Sequence, residues 1–172
     1  MKKIILLGYM GCGKSTIAMS LSEKTTIPYL DLDHFIEEKV NLSIKSLFEQ
    51  RGEVYFRKVE HQALIELLEQ PKDQIIGLGG GTPCYANNHE LLQKPGVIAI
   101  YLKASIDTLL ERLSKNRSKR PIIAHLNEEE LKEFIAKHLF DRSFYYNQAQ
   151  HVVSIDGKSI AEVVASIEAL LA

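Results

Sequence analysis

Between the short apolar run Lys3 to Leu7 and a stretch with helical spacing lies Gly8-Tyr9-Met10-Gly11-Cys12-Gly13-Lys14-Ser15, a match to G-x-x-x-x-G-K-[ST]. This pattern works as the turn from a buried strand into a helix. Its glycines let successive backbone N–H groups face inward toward the β- and γ-phosphates of a nucleotide, and the positive end of the helix dipole adds to that field. Lys14 supplies a point charge to the transferring phosphate, and the Ser15 hydroxyl is the expected protein ligand of Mg²⁺. Gly11, Cys12, Gly13 and Thr16 complete the predicted nucleotide-binding loop. A glycine-rich turn that binds nothing is the alternative, and the complete motif in this context argues against it.

Beyond that turn, strand-length apolar stretches alternate with helical patterns along the whole chain, the mark of an α/β fold with a mainly parallel sheet and helices on both faces. The expected strands are Lys3 to Leu7, Tyr29 to Leu32, Gln74 to Leu78, Val97 to Leu102 and Val152 to Ile155, giving five. A closing helix carries Ile160, Val163, Val164, Ile167, Leu170 and Leu171 as one apolar packing stripe. The 172 residues suit one domain. Lys plus Arg number 21 against 22 Asp plus Glu, a net charge of −1, which excludes a general electrostatic grip on nucleic acid. No apolar run approaches the ~18 to 20 residues of a membrane span. The start, MKKIILLGYMGC, has a slight likeness to a lipoprotein signal, but only Ile4 to Leu7 precede Gly8, against an export core of ~7 to 15 apolar residues. With Cys12 and Cys84 its only cysteines, the chain is expected in the cytoplasm with both reduced.

Two stretches exceed what a bare sheet requires. Residues 34 to 61 insert two helical segments, split near Asn41 and Arg51-Gly52, which suggests a small subdomain. Residues 112 to 126 gather Arg112, Lys115, Arg117, Lys119 and Arg120 before Pro121 and read as a mobile flap, or lid.

Four further motifs are ambiguous when read singly. Asp31-Leu32-Asp33 ends the second strand, where alternation places both carboxylates on one side, near the ligand crevice at the strand's carboxyl end; Asp33 reads equally as the cap of a helix starting at His34. In Gly52-Glu53-Val54-Tyr55-Phe56-Arg57-Lys58-Val59-Glu60, Arg57 is either a solvated ion pair with Glu53 and Glu60 or, aimed by Glu60, a fork for an anionic substrate. Gly79-Gly80-Gly81 follows the third strand, so either a ligand comes close to the main chain or the turn demands positive φ. Arg142 lies near a helix C-terminus, where the dipole favours it without any ligand. The six histidines have no metal-binding spacing, and no zinc is expected.

Taken in order, GYMGCGKST, DLD, GEVYFRKVE, LGGGTP, RSKRPII and RSFYYNQA resemble the shikimate kinases, small P-loop kinases related in fold to the nucleoside monophosphate kinases, over nearly the whole chain. The resemblance implies ATP-dependent phosphorylation of the 3-hydroxyl of shikimate, with Mg²⁺ as cofactor, on the way to chorismate and the aromatic amino acids. It implies that Asp33 holds the shikimate hydroxyls, that Arg57 and Arg142 clamp the ring carboxylate, and that Gly79, Gly80 and Gly81 offer backbone contacts. Phe48 and Phe56 would wall the pocket, Glu60 would support Arg57, and Asp31 would join Ser15 in the Mg²⁺ shell. Lys14, Asp33 and Arg120 become the expected catalytic residues, with Arg120 reaching the phosphates and Arg117 lying against adenine. The insertion 34–61 becomes the substrate-binding subdomain and 112–126 the lid of a monomer. Gly77 is an unusual guest in a strand, and Ile122-Ile123 stands where the family often has leucines. The turn Asp156-Gly157-Lys158 falls where the family touches adenine. A related P-loop kinase for another polyol acid is the nearest alternative; a nucleotide-dependent switch would carry a base-reading N-K-x-D pattern, which is absent.

Overall fold

A computed structural model describes residues 1–172. Lys3–Leu7 forms β1, buried at every position, and Lys3 tolerates this because its ammonium donates to Gln74 Oε1 at 2.9 Å. It runs at the centre of a five-stranded parallel sheet ordered β2-β3-β1-β4-β5, with β2 Tyr29–Asp31, β3 Gln74–Gly77, β4 Val97–Lys103 and β5 His151–Ser154. All five predicted strands are present. The second and third stop one residue early, the second because Leu32 already belongs to a helix, the fourth runs one residue longer, and the fifth lies one residue nearer the N-terminus.

The helices are α1 Lys14–Thr25, α2 Leu32–Val40, α3 Ile44–Glu69, the single turn α4 Asn88–Leu91, α5 Ile106–Lys115, α6 Glu128–Tyr146 and α7 Ile160–Leu171. The connection from β1 to β2 travels one way across the sheet and the later connections return. Right-handed crossovers therefore put α1 on one face and α2, α3, α5 and α6 on the other. Helix α7 packs beside α1 through Val163, Val164 and Ile167, while Ile160 and Leu170 of its predicted stripe remain exposed. Thirty-eight buried apolar residues make one continuous core. No helix is long and apolar enough to cross a membrane.

The expected insertion is α2 together with the first part of α3, divided at Asn41, a left-handed C-cap, and again at Gly52, whose φ of 81° breaks the helical path within α3. Beyond that break Phe56, Glu60, Ala63, Leu64 and Leu67 turn one face into the core. In the stretch 112–126, α5 continues to Lys115, a 3-10 turn follows at Arg117–Lys119, and fully buried Ile123 pins the segment while Ile122 projects into solvent.

Candidate active site

Every helix longer than one turn except α1 starts with a side-chain cap: Asp31, Ser43, Ser105, Asn127 and Ser159 each accept from a backbone N–H of the first turn. Helix α1 starts instead at Gly13, in a left-handed conformation with φ of 91° and no side chain to offer. Its first-turn N–H groups are left to whatever anion the preceding loop admits. Lys14 Nζ lies inside that loop, donating to the carbonyls of Gly8 at 2.6 Å and Tyr9 at 3.3 Å. Cys12 has a buried side chain and an N–H that donates to Tyr9 O, so it closes the turn.

The loop opens into a polar cavity of about 400 Å³ lined by Gly11, Gly13, Lys14, Ser15, Thr16, Asp31, Asp33, Gly79, Gly80 and Arg120. Residues from four separate motifs thus meet in one space. The strand alternation invoked for the two aspartates is not what joins them, since only Asp31 belongs to β2 and Asp33 sits in the first turn of α2. Nor is Asp33 the helix cap. Asp31 is, accepting from the His34 N–H at 3.1 Å, which leaves Asp33 to the cavity. Burial, together with the charges of Asp31, Glu60 and Glu37, pushes the Asp33 carboxyl up to about 6, with Arg57 opposing the rise. Gly77 now has a reason: it pairs with Asp31, and a Cβ on it would come within 3.1 Å of the Tyr29 hydroxyl, which donates to Asp31 Oδ2 at 3.4 Å.

The three glycines after β3 have no positive φ, so the turn does not require them on that ground. They are needed for close approach: a Cβ on Gly80 would lie 3.0 Å from Arg142 Nη1, and one on Gly81 would lie 2.8 Å from Arg57 Nη2. Two arginines from distant helices therefore rest on the bare main chain of this turn, although neither lines the polar cavity itself. The ion pairs considered for Arg57 are present, but the one with Glu60 is buried rather than solvated. Its side chain is only 17% exposed and Nη1 donates at 2.9 Å to Glu60, which is 1% exposed, while Glu53 stands off at 3.7 Å. Arg142 lies over the ring of Tyr9, and Tyr146, one helical turn later, donates to Gly80 O at 2.6 Å. Phe48 and Phe56 pack against each other with centroids 4.5 Å apart, and the Arg57 guanidinium sits over Phe56. Tyr29, Tyr146 and Thr82, whose hydroxyl donates to Glu60 Oε2 at 2.8 Å, were not selected from sequence, because aromatic and hydroxyl residues there look like ordinary core and turn positions.

Beside the loop, sharing Gly13 and Thr16 with the polar cavity, lies a smaller pocket of about 210 Å³ walled by Ile17, Ile155, Ile160 and Val163, with Lys158 and Arg112 at its edge. An apolar slot next to a phosphate loop suits a nucleobase. Arg120, from the flap, reaches the polar cavity, with Nη1 3.9 Å from Met10 Sδ. Arg117 does not line the slot. It donates to Leu126 O at 2.7 Å, tying the flap to itself, and Arg112 takes the place beside the slot.

Residues 10–172 match the family model described as shikimate kinase. A shikimate kinase of Flavobacterium johnsoniae is 65% identical over 172 residues, covering 100% of both chains. The crystal structure of shikimate kinase from Bacteroides thetaiotaomicron superposes with a TM-score of 0.90 at 34% identity, covering 99% of this chain and 98% of that one. Shikimate kinase from Acinetobacter baumannii, solved in complex with shikimate, gives a TM-score of 0.85 at 30% identity, covering 99% and 93%.

Proposed function

The chain belongs to the shikimate kinase family, and from that premise we propose how its own residues divide the work of phosphoryl transfer. It transfers the γ-phosphate of ATP to the 3-hydroxyl of shikimate, giving shikimate 3-phosphate and ADP, in the biosynthesis of chorismate and the aromatic amino acids. The observation carrying the assignment of residues is the single cavity in which Lys14, Ser15, Asp31, Asp33 and Arg120 converge beside the arginine-covered glycine turn.

In a loose transition state, negative charge spreads over the peripheral phosphate oxygens, and the α1 amides, Lys14 and Arg120 surround the place where it collects. The ring carboxylate of shikimate lies between Arg57 and Arg142, over the main chain of Gly79 to Gly81, with Phe48 and Phe56 as the apolar wall. Held there, the substrate turns its 3-hydroxyl toward Asp33. A carboxyl held near 6 is ionised at neutral pH yet more basic than a solvated one, so Asp33 orients the hydroxyl first and accepts its proton late. Adenine occupies the slot between Ile155 and Ile160 with Arg112 beside it. Residues 34–61 form the substrate-binding subdomain, and the flap 112–126 closes over the phosphates, excluding water that would otherwise take the phosphoryl group.

The donors present suit Mg²⁺. The Ser15 hydroxyl, the Asp31 carboxylate and nucleotide phosphates are all oxygen ligands, and no group of three His, Cys, Asp or Glu side chains gathers to cage an ion without phosphate. Both Asp31 oxygens already accept hydrogen bonds, from His34 and Tyr29, which favours contact through water. Held by Ser15 and, through water, Asp31, Mg²⁺ would supply positive charge to offset the negative charge of the phosphates. A monomer in a reducing cytoplasm remains the reading, from one domain's length and only two cysteines. A coupled ADP-release assay offering shikimate, gluconate and nucleoside monophosphates separately tests the assignment. Stimulation by shikimate alone is expected, and stimulation only by another acceptor overturns it.

A further inference from the structure

We propose that Thr82 and Tyr85 are positioning residues that aim Arg57 at the substrate carboxylate, Thr82 through Glu60 and Tyr85 by stacking on the guanidinium. The inference rests on Arg57 holding that carboxylate. Glu60 is a buried anion with both oxygens engaged: Oε1 accepts from Arg57 Nη1 at 2.9 Å and Oε2 from Thr82 Oγ1 at 2.8 Å. With both ends fixed, the carboxylate plane cannot swing, and it sets the plane of the guanidinium it grips. Thr82 is itself immobile. It is fully buried, its N–H donates to Gly79 O at 3.1 Å, and its carbonyl accepts from Asn88 Nδ2 at 2.9 Å. Asn88 is buried in turn and paired with the ring of His61 at 2.6 Å.

Tyr85 works from the same turn. Its ring centroid lies 3.8 Å from Arg57 Cζ, closer than any other arginine stacks on an aromatic ring in the molecule. The two residues after it, Ala86 and Asn87, both adopt left-handed backbone with φ of 50° and 55°. Consecutive non-glycine residues in that region are strained, and here the strain sits beside a functional contact. An open groove of about 630 Å³ borders Arg57 and Tyr85, so losing the ring would let the guanidinium lean into solvent.

Steady-state kinetics with shikimate and with its uncharged carboxamide test this. Thr82→Val, which keeps shape and removes the hydroxyl, is expected to raise KM for shikimate about tenfold, the usual cost of one hydrogen bond to a buried charge. KM for ATP and kcat should stay within about twofold, Thr82→Ser should restore the wild-type value, and the preference for shikimate over the carboxamide should narrow by the same factor. Tyr85→Leu should narrow that preference about threefold and Tyr85→Phe should not, as expected for an exposed cation–π contact. Tyr85 is partly exposed, so its variants keep the test open if Thr82→Val fails to fold. Arg57→Ala separates the two levels. If it leaves the preference intact, Arg57 is not the carboxylate clamp; if it abolishes the preference while Thr82→Val and Tyr85→Leu leave it intact, the positioning role is overturned. Equal damage from Thr82→Ser and Thr82→Val also overturns it.

Discussion

The two ends of the active site are built on opposite principles. The phosphate end is one contiguous loop, and its chemistry comes from main-chain amides at an uncapped helix start, assisted by Lys14. The end proposed to hold the substrate carboxylate is assembled from α3, the turn after β3, and α6, each supplying what another lacks: Arg57 and Arg142 lie where Gly81 and Gly80 have no side chain, and Tyr146 fastens the turn between them. A contiguous loop draws its amides from one short stretch of chain. An interlocked set of side chains passes a disturbance at one member to the others.

Asp33 stands where the two ends meet, and its replacement has the largest expected effect. Asp33→Asn should lower turnover by about a thousandfold, within the usual range for loss of a positioned acid–base group. The same change should stabilise the free protein. The folded-state pKa, about 6, lies above the ordinary 3.8, so folding favours the protonated carboxyl. The stability it contributes is complete below about pH 4 and is lost as pH rises through 6, a loss of up to about 3 kcal/mol. Asparagine cannot ionise, so in nucleotide-free, metal-free buffer at pH 7 the variant should melt several degrees above the parent, with the gap closing near pH 4. An equal or lower melting temperature at pH 7 would show that the cavity does not strain this carboxylate.

That contrast also governs what the sequence discloses. The loop Gly8 to Ser15 is legible because its chemistry and its spacing are the same fact, and the parallel sheet follows from apolar runs buried on both faces. Arg57, Arg142 and the triple glycine were each undecided alone, since nothing local distinguishes a glycine that admits a guanidinium from one that turns the chain. Motif order favours the ligand reading of each only through the family resemblance. The Asp31 cap shows the limit in the other direction: two aspartates, either able to cap, exchange expected positions when a strand ends one residue early. Thr82, Tyr85 and Tyr146 were not singled out, although Thr82 and Tyr146 fall inside motifs that carry the resemblance, because each contacts a partner more than twenty residues away, and such pairings exist only after folding.

A single added methyl at each end sharpens the comparison. In Gly81→Ala the new Cβ meets Arg57 Nη2 at 2.8 Å, and the guanidinium, already held by Glu60, has little room to retreat. KM for shikimate should rise by about ten- to a hundredfold with KM for ATP nearly constant. Gly13→Ala forces a side chain onto a residue with φ of 91° at the start of α1, and the loss should fall on ATP. Measured in parallel with both substrates varied, the two variants should give opposite patterns. Equal rises for both substrates in either one would mean that the two ends are not separable.

The smallest expected effect concerns the nucleobase, for which the family resemblance points to Arg117 while Arg112 is the arginine at the edge of the apolar slot. Arg112 edges the apolar slot beside the loop and donates to Gly11 O at 3.3 Å, whereas Arg117 spends its guanidinium on Leu126 O within the flap. Arg112→Ala should raise KM for ATP about two- to fivefold, as expected for one exposed stacking cation, and leave KM for shikimate unchanged. Arg117→Ala removes a contact internal to the flap, so KM for ATP should stay within about twofold while proteolysis between residues 112 and 126 quickens. The opposite pattern, with Arg117→Ala weakening ATP and Arg112→Ala silent, would mean that the flap refolds around the nucleotide and exchanges Leu126 for adenine. The phosphate end would then be assembled in the same way as the carboxylate end, from side chains brought together by folding, and only its amide loop would come from one short stretch of chain.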